Sequence, residues 1–241
     1  MKTVKSIVDR LKGIEGRLSI AENFTDFFEM AAIFLNNSGV TSGSSFAIRE
    51  DIKFDERERK FKEIANKHTE EEIKTFDSML RDYLEIAADN MQKGKIKDLT
   101  SEMYHYFKQN SSALGQFFSS AAVSTRDAAG IQKEELLKAY KEKGYVVFND
   151  PACGAGALIL GIVDKAIKVG IPKKNIYVVA SDINKTCICM AYTQFSAYGI
   201  KAVLIHGDAL GYEELERWTT PAFRSWKRKW KNWKQNLKMM Y

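Results

Sequence analysis

The sequence predicts an α/β protein in which a helical first half is followed by a small parallel sheet. Apolar residues recur at helical spacing through the first half, and no proline occurs before Pro151. After Gly144 the pattern changes to three short β-branched runs, "YVVFND", "IYVVASD" and "AVLIHGD", with two segments of helical period between them. This alternation is typical of parallel strands joined by right-handed crossover helices.

These patterns divide the chain into a helical domain at 1–112, a sheet domain at 113–217 and a basic, tryptophan-rich helix at 218–241. The segment "TEEE", Thr69 to Glu72, predicts a capping box at the start of one helix. The segment "NNSGVTSGSS", Asn36 to Ser45, predicts a loop between helices. In the first part, helical period is found in "VKSIVDRLKGI", "NFTDFFEMAAIFLNN", "FDERERKFKEIANKH", "TEEEIKTFDSMLRDYLEIAADNMQKG" and "LTSEMYHYFKQN".

Composition indicates a globular protein of the cytoplasm. The 241 residues are 45% hydrophobic and 28% charged, which is enough apolar material for a real core. No apolar stretch approaches the roughly 20 residues that a membrane span needs, and charges interrupt the start of the chain where a signal peptide would be apolar. Three cysteines, Cys153, Cys187 and Cys189, are too few for a disulfide framework and lack zinc-site spacing, so we expect a reducing setting and no metal.

The net charge of +6 is concentrated at the end of the chain. Residues 218–241 contain seven Lys and Arg and no acid, so the remaining residues sum to −1. Within this segment Trp226, Trp230, Trp233 and Leu237 follow at steps of four, three and four, which predicts one apolar helical face with cations on the others. The tryptophans are expected to pack on the body of the protein or on a partner chain, and the basic side chains suit a polyanion such as DNA.

Each predicted strand ends in an aspartate: Asp150, Asp182 and Asp208. Because parallel α/β sheets bind ligands at the carboxyl ends of their strands, all three are expected at the binding edge. The loop "DPACGAG" after the first strand lets a ligand approach the backbone. A dinucleotide fingerprint would need a third glycine where Ile159 stands, and an acid before the loop is poorly placed against a pyrophosphate.

A cationic or hydrogen-bond-donating ligand fits these acids better. Asp150 suits the amino acid end of S-adenosylmethionine, and Asp182 is placed to accept from the two ribose hydroxyls. Asp208 could accept from the adenine amino group.

The loop "DPACGAG" resembles the cofactor loop of the methyltransferases that methylate adenine N6 in DNA, especially the M subunits of type I restriction-modification systems. Upstream, "LGQFFSS" from Leu114 to Ser120 resembles the family's "GQFFTP" element, although Ser120 stands where the family has proline. "ASDIN" and "HGDAL" resemble the second and third cofactor motifs. Four elements in the family's order imply a partial Rossmann-like domain that binds S-adenosylmethionine.

The resemblance carries cofactor-binding roles onto matching positions. In the family, the "GQFF" element packs over the methionine part, the glycine loop lies beneath it, and the two later motifs hold ribose and adenine. The implied residues are Gln116, Phe117, Phe118, Asp150, Pro151, Ala152, Gly154, Gly156, Asp182, Ile183, Asp208 and Ala209.

The family's catalytic motif, [Asn/Asp/Ser]-Pro-Pro-[Tyr/Phe/Trp], does not occur in this sequence. In the family its acceptors orient the adenine amino group and its aromatic ring stacks on the flipped base. The nearest match is Thr220-Pro221-Ala222-Phe223, where threonine is a poorer acceptor and Ala222 replaces a stiffening proline, so Thr220, Pro221 and Phe223 are the catalytic candidates. The preceding "GYEELERWTT" is too charged for a central buried strand. Catalysis by this chain alone is therefore not expected.

Three hypotheses follow from the sequence. The first is an S-adenosylmethionine-dependent DNA adenine-N6 methyltransferase-like protein of a restriction-modification or mobile-element setting. The second is a non-catalytic module that keeps the cofactor pocket and binds DNA or a partner, because the catalytic motif is missing. The third is methylation of another amino or amide substrate, such as RNA or a protein glutamine. The expected partners are DNA, a protein that supplies missing catalytic or specificity parts, and a second copy of the chain.

Overall fold

The computed structural model describes residues 2–14, 18–41, 54–108, 130–211 and 213–227. Helices in this part of the chain precede the sheet, as the periodicity predicts, and their bounds are α1 (Val4–Lys12), α2 (Ile20–Thr41), α3 (Phe54–Ala65), α4 (Glu70–Gln92), α5 (Leu99–Lys108) and α6 (Lys133–Lys143). Among the helices described, none combines the length and the apolar character needed to cross a membrane.

The sheet has four strands in the order β1-β2-β3-β4. Strands β1, β2 and β3 are parallel, and β4 is antiparallel to β3. The bounds are β1 (Val146–Asp150), α7 (Ala157–Lys168), β2 (Ile176–Asp182), α8 (Lys185–Ala197), β3 (Lys201–Asp208), β4 (Glu213–Thr219) and α9 (Pro221–Lys227). The predicted α/β class is confirmed: a helical region is followed by a partial Rossmann-like sheet.

The position of β4 in the sheet explains why the segment before Thr220 contains so many charged residues. It lies at the edge of the sheet, where Glu213, Glu214 and Leu215 are exposed and only Trp218 is buried. An edge strand tolerates charged side chains because only one of its sides is paired. Trp218 and Thr219 therefore lie in a strand rather than in the predicted C-terminal helix, while the division into domains stays a prediction.

The N-terminal capping box at α4 forms as predicted. The Glu72 amide donates to the Thr69 hydroxyl over 3.3 Å, and the Thr69 amide donates to the Glu72 carboxylate over 2.7 Å. This reciprocal pair satisfies two amide groups that an uncapped helix start would leave without a partner.

The predicted loop at Asn36 is wrong for its first residues, because α2 continues to Thr41. Asn36 is buried, and its side-chain oxygen accepts a hydrogen bond from Arg224 over 2.6 Å. Its carbonyl accepts a second bond from Arg224 over 2.8 Å. These tertiary contacts stabilise helical backbone where local composition favours a turn.

A buried arginine attaches the helical region to the edge strand. Arg57 on α3 donates to Glu216 over 3.0 Å and to the carbonyl of Arg217 over 2.7 Å. Its guanidinium also lies 3.8 Å from the centre of the Trp218 ring. The Arg57 and Glu216 side chains are only 4% and 11% exposed, so the two charges interact in a largely dry environment.

Candidate functional site

The topology brings the three predicted aspartates to one edge of the sheet. Asp150, Asp182 and Asp208 are the last residues of three adjacent parallel strands. Asp182 is paired in register with His206, two residues before the end of β3. The carboxyl edge of the sheet, defined by these strand ends and the loops that follow them, is therefore the candidate site.

Backbone hydrogen bonds fold the "DPACGAG" loop against the second strand. The Cys153 amide donates to the Ser181 carbonyl over 2.9 Å. The Gly154 amide donates to one Asp182 oxygen over 2.9 Å, and the Asn184 amide donates to the other over 2.8 Å. Asp182 is thereby fixed between two loops. Each of its oxygens has a second lone pair with which to accept, which is what two ribose hydroxyls require.

The two glycines predicted to bind the cofactor have different tasks. Gly154 has a φ of +52°, and a Cβ built on it meets no atom within 4 Å, so its backbone faces open space. Gly156 has a φ of +89°, and its Cβ would lie 2.6 Å from the Phe195 ring. Gly156 thus allows the start of α7 to approach α8 closely, and Gly154 leaves room for a ligand.

Asp150 is partly buried at the start of the loop and accepts a hydrogen bond from the Ala152 amide over 3.1 Å. Burial raises the pKa of Asp150, the Ala152 hydrogen bond lowers it, and the neighbouring Asp182 charge raises it further. Within the described residues, none of the three aspartates of the carboxyl edge forms an ion pair. This concentration of negative charge favours a cation or a hydrogen-bond donor and disfavours a pyrophosphate.

The third strand end adds apolar side chains to the acids. Asp208 accepts a hydrogen bond from the Leu210 amide over 2.9 Å. Leu210, after β3, is 91% exposed and Ile183, after β2, is 72% exposed, so both apolar side chains are accessible at the carboxyl edge. His206 Nε2 lies 3.1 Å from the Ile183 carbonyl and so joins the loop after β2 to β3.

Leu210 was missed as a candidate residue, although it lies inside the quoted "HGDAL". The available signal was an apolar residue placed two positions after a strand-end aspartate. From periodicity alone, an apolar residue such as Leu210 is expected in the core. Only the structure shows that it is exposed beside Asp208.

The catalytic candidates lie at the opposite end of the sheet. Because β4 runs antiparallel to β3, Glu213 is paired with Asp208 while Thr219 is paired with Val203. The fully buried Thr220 hydroxyl donates to the Ile200 carbonyl over 2.7 Å and accepts from the Ala202 amide over 3.0 Å. About six strand residues at 3.3 Å each separate this point from the carboxyl edge, roughly 20 Å.

The alignment of Thr220, Pro221 and Phe223 with the catalytic motif is therefore corrected. Phe223 is buried and its amide lies 3.4 Å from the Thr220 hydroxyl, so these residues end a strand and start a helix. The physical cause is the antiparallel return of β4, which no local feature of "TTPAF" reveals.

The remaining predicted residues divide into two groups. Pro151 and Ala152 are exposed on the loop, and Ala209 is partly buried beside Asp208. Gln116, Phe117 and Phe118 lie outside the described residues. In the loop, burial and then the Asp182 charge raise the pKa of the Cys153 thiol well above its usual range, so Cys153 is not an activated nucleophile.

Comparison with known proteins adds a structural likeness. No family model matches the chain, and no curated protein matches it. A solved structure of a proposed class I S-adenosylmethionine-dependent methyltransferase from Listeria monocytogenes is similar at 16% identity with a TM-score of 0.41. The match covers 88% of this chain and 55% of the other, so this chain spans about half the length of that protein. Similarity of this degree carries no conclusion about activity.

Proposed function

We propose that the protein binds S-adenosylmethionine at the carboxyl edge of its sheet. The observation that carries the proposal is the set of three aspartates without ion pairs in the described part of the chain, arranged around a loop whose Gly154 backbone faces open space. Besides one carboxylate, S-adenosylmethionine has an ammonium group, a sulfonium centre, ribose hydroxyls and an adenine amino group. Each of these is a cation or a hydrogen-bond donor, which this acidic edge favours.

The chain's own residues have distinct roles in this proposal. Asp150 and the backbone of 151–154 receive the methionine part, and Asp182 accepts from the ribose. In this proposal Asp208 and Ala209 contact the adenine amino group, and the exposed Ile183 and Leu210 offer apolar contact to the base. The resemblance adds Gln116, Phe117 and Phe118 as a cover for the methionine part.

The finer proposal is a DNA adenine-N6 methyltransferase-like protein of a restriction-modification or mobile-element setting. It rests on the four quoted motifs in their order along the chain. The bound cofactor would supply an electrophilic methyl group. The residues that orient an adenine amino group would come from another segment or from a partner, because Thr220 and Phe223 are buried at the opposite edge.

A non-catalytic cofactor-binding module is the second candidate function. The Thr220 side chain favours it, because its hydroxyl donates to the backbone of Ile200 and accepts from the backbone of Ala202. Because the Thr220 hydroxyl makes both of these backbone hydrogen bonds, it does not orient a substrate amine.

Isothermal titration calorimetry with S-adenosylmethionine tests the pocket. We expect the wild-type protein to bind and Asp182→Ala to lose about tenfold or more in affinity, since one hydrogen bond to a charged group contributes about 1.5–3 kcal/mol. Asp77→Asn changes an exposed acid that pairs with Arg81 on α4 and serves as the matched control. Absence of binding by the wild-type protein, or equal affinity in Asp182→Ala, contradicts the proposal.

A further inference from the structure

The edge of the sheet opposite the aspartates carries lysines and tyrosines. Lys143 precedes β1, Lys174 precedes β2, and Lys201 begins β3. Tyr145 and Tyr177 lie between them in the same part of the sheet. Because the amino ends of parallel strands meet at one edge, we call these five residues the amino-edge cluster.

Contacts join Tyr145, Tyr177, Lys201 and the backbone of Lys174 at the amino edge. The Tyr145 and Tyr177 rings are 5.9 Å apart, edge to face. Lys201 is the register partner of Tyr177, and its ammonium lies 4.8 Å above the Tyr177 ring. The same ammonium donates to the Lys174 carbonyl, which brings the second strand start to the third.

Lys143 and Lys174 differ in exposure from Lys173 and Lys201, whose ammonium groups both donate to backbone carbonyls. Lys173 donates to the Tyr198 carbonyl over 2.8 Å and is turned toward the body of the protein. Lys143 and Lys174 are exposed, and Lys201 and both tyrosines are partly exposed. Burial and then the positive charge of Lys174 lower the pKa of Lys201, which shows that the cations crowd one another.

The antiparallel strand β4 also returns the chain to this edge. Thr220 contacts Ile200 and Ala202 beside Lys201, and α9 starts directly after it. The sheet domain therefore has acids at its carboxyl edge and cations at its amino edge.

We infer that the amino-edge cluster binds the phosphate backbone of nucleic acid. Closely spaced lysines release counterions when they neutralise phosphates, and partly exposed tyrosines between them suit contact with bases or sugars. An anionic membrane fits less well, because membrane-surface binding needs a continuous apolar face beside the cations and the described cluster offers two tyrosines.

This position separates the nucleic acid from the proposed cofactor. Strands of five to eight residues place the two edges roughly 20 Å apart. A nucleic acid held at the amino edge is therefore not presented to this chain's own carboxyl edge. The inference does not rest on cofactor binding, so either proposal can fail alone.

Fluorescence anisotropy with a labelled DNA duplex, measured over a series of salt concentrations, tests the surface. In the full chain, Lys143→Gln with Lys174→Gln removes the two exposed cations of the cluster and is expected to weaken binding and to lower the slope of log K against log salt by about 2. The loss is expected to be the same for unrelated DNA sequences, because phosphate contacts carry no base information. Lys74→Gln removes an exposed lysine of α4 and is expected to change neither quantity.

Further arms of the experiment separate the alternatives. Lys174→Gln alone gives a second variant at an exposed position outside the strands, should the double variant lose its thermal unfolding transition. Retained S-adenosylmethionine binding by these variants shows that a loss of DNA affinity is local to the amino edge. Wild-type affinity and salt slope in both variants overturn the inference. Binding of the wild-type protein to vesicles of anionic phospholipid without binding to DNA overturns it as well.

Discussion

At the scale of single residues, residues of the same type in and around the "DPACGAG" loop have different structural roles. Gly154 and Gly156 both have positive φ, yet only Gly156 lies against another side chain. Asp150 and Asp182 both end strands, yet Asp182 accepts from two loop amides and Asp150 from one. The motif therefore combines a ligand-facing part with a part that holds α7 against α8.

Gly156→Ala is expected to destabilise the protein by about 3 kcal/mol, from strain at positive φ and from overlap with Phe195. Gly154→Ala incurs only the backbone strain, about 1 kcal/mol, and should reduce cofactor affinity instead. Urea unfolding compares the two variants. Equal losses of stability would show that the Phe195 contact has no energetic role.

Asp150→Asn is expected to change how stability depends on pH. The raised pKa means that folded Asp150 holds its proton more tightly than unfolded Asp150, so the wild-type protein loses stability as pH rises through that pKa. The asparagine side chain cannot ionise, so the variant should be the more stable protein at neutral pH. This advantage should shrink as the pH falls through the raised pKa, and it should disappear below the ordinary carboxyl pKa, where Asp150 is protonated in both the folded and the unfolded state.

Thermal unfolding of the unliganded proteins over a pH series measures the difference. Asp77→Asn, at an exposed position on α4, controls for the general loss of a charge. An advantage that grows on acidification would contradict the assigned direction of the pKa shift.

At the scale of secondary structure elements, β4 decides the arrangement of the site. A fourth strand parallel to the others would have carried "TTPAF" toward the carboxyl edge. As an antiparallel hairpin strand next to β3, β4 carries it to the amino edge. The close pairing of β4 with β3 needs Gly207, because a Cβ there would lie 2.0 Å from the Glu213 carbonyl oxygen.

Arg57→Ala tests how the helical region holds this strand. Removal of Arg57 leaves Glu216 buried beside the more distant Lys185, 3.8 Å away, and a loss of about 3 kcal/mol is expected. Arg59→Ala breaks an exposed pair with Glu63 on the same helix and should cost less than about 1 kcal/mol. Denaturant unfolding measures both. A loss in Arg57→Ala no larger than that in Arg59→Ala would mean that the contact with β4 contributes little.

At the scale of the whole molecule, the chain separates two kinds of surface. Among the described residues, three aspartates end the parallel strands, while Lys174 and Lys201 lie where β2 and β3 begin. This polarity suits a protein that holds a cationic small molecule at one edge and a polyanion at the other. It also means that one copy alone does not bring the two together.

Transfer of tritiated methyl groups to unmethylated DNA is therefore expected to be undetectable with this chain alone, even under conditions where calorimetry shows cofactor binding. Methyl incorporation by the purified chain would contradict this expectation. It would mean that this chain itself supplies the groups that orient the adenine amino group. Phe223→Ala then becomes informative, because loss of incorporation in that variant alone would give the buried ring a role in the reaction.

The sequence by itself determined the helical first half, the three parallel strands and the acids that end them. Periodicity and strand-end composition are local properties of the sequence. Crossover connections make the strands parallel, so their carboxyl ends must lie at the same edge of the sheet. Tertiary structure alone decided the direction of β4, the exposure of Leu210 and the buried helical position of Asn36. Each depends on which distant residues pack nearby, such as Arg57 on Trp218 or Arg224 on Asn36. Long-range contacts of this kind leave no mark in the local pattern of the chain.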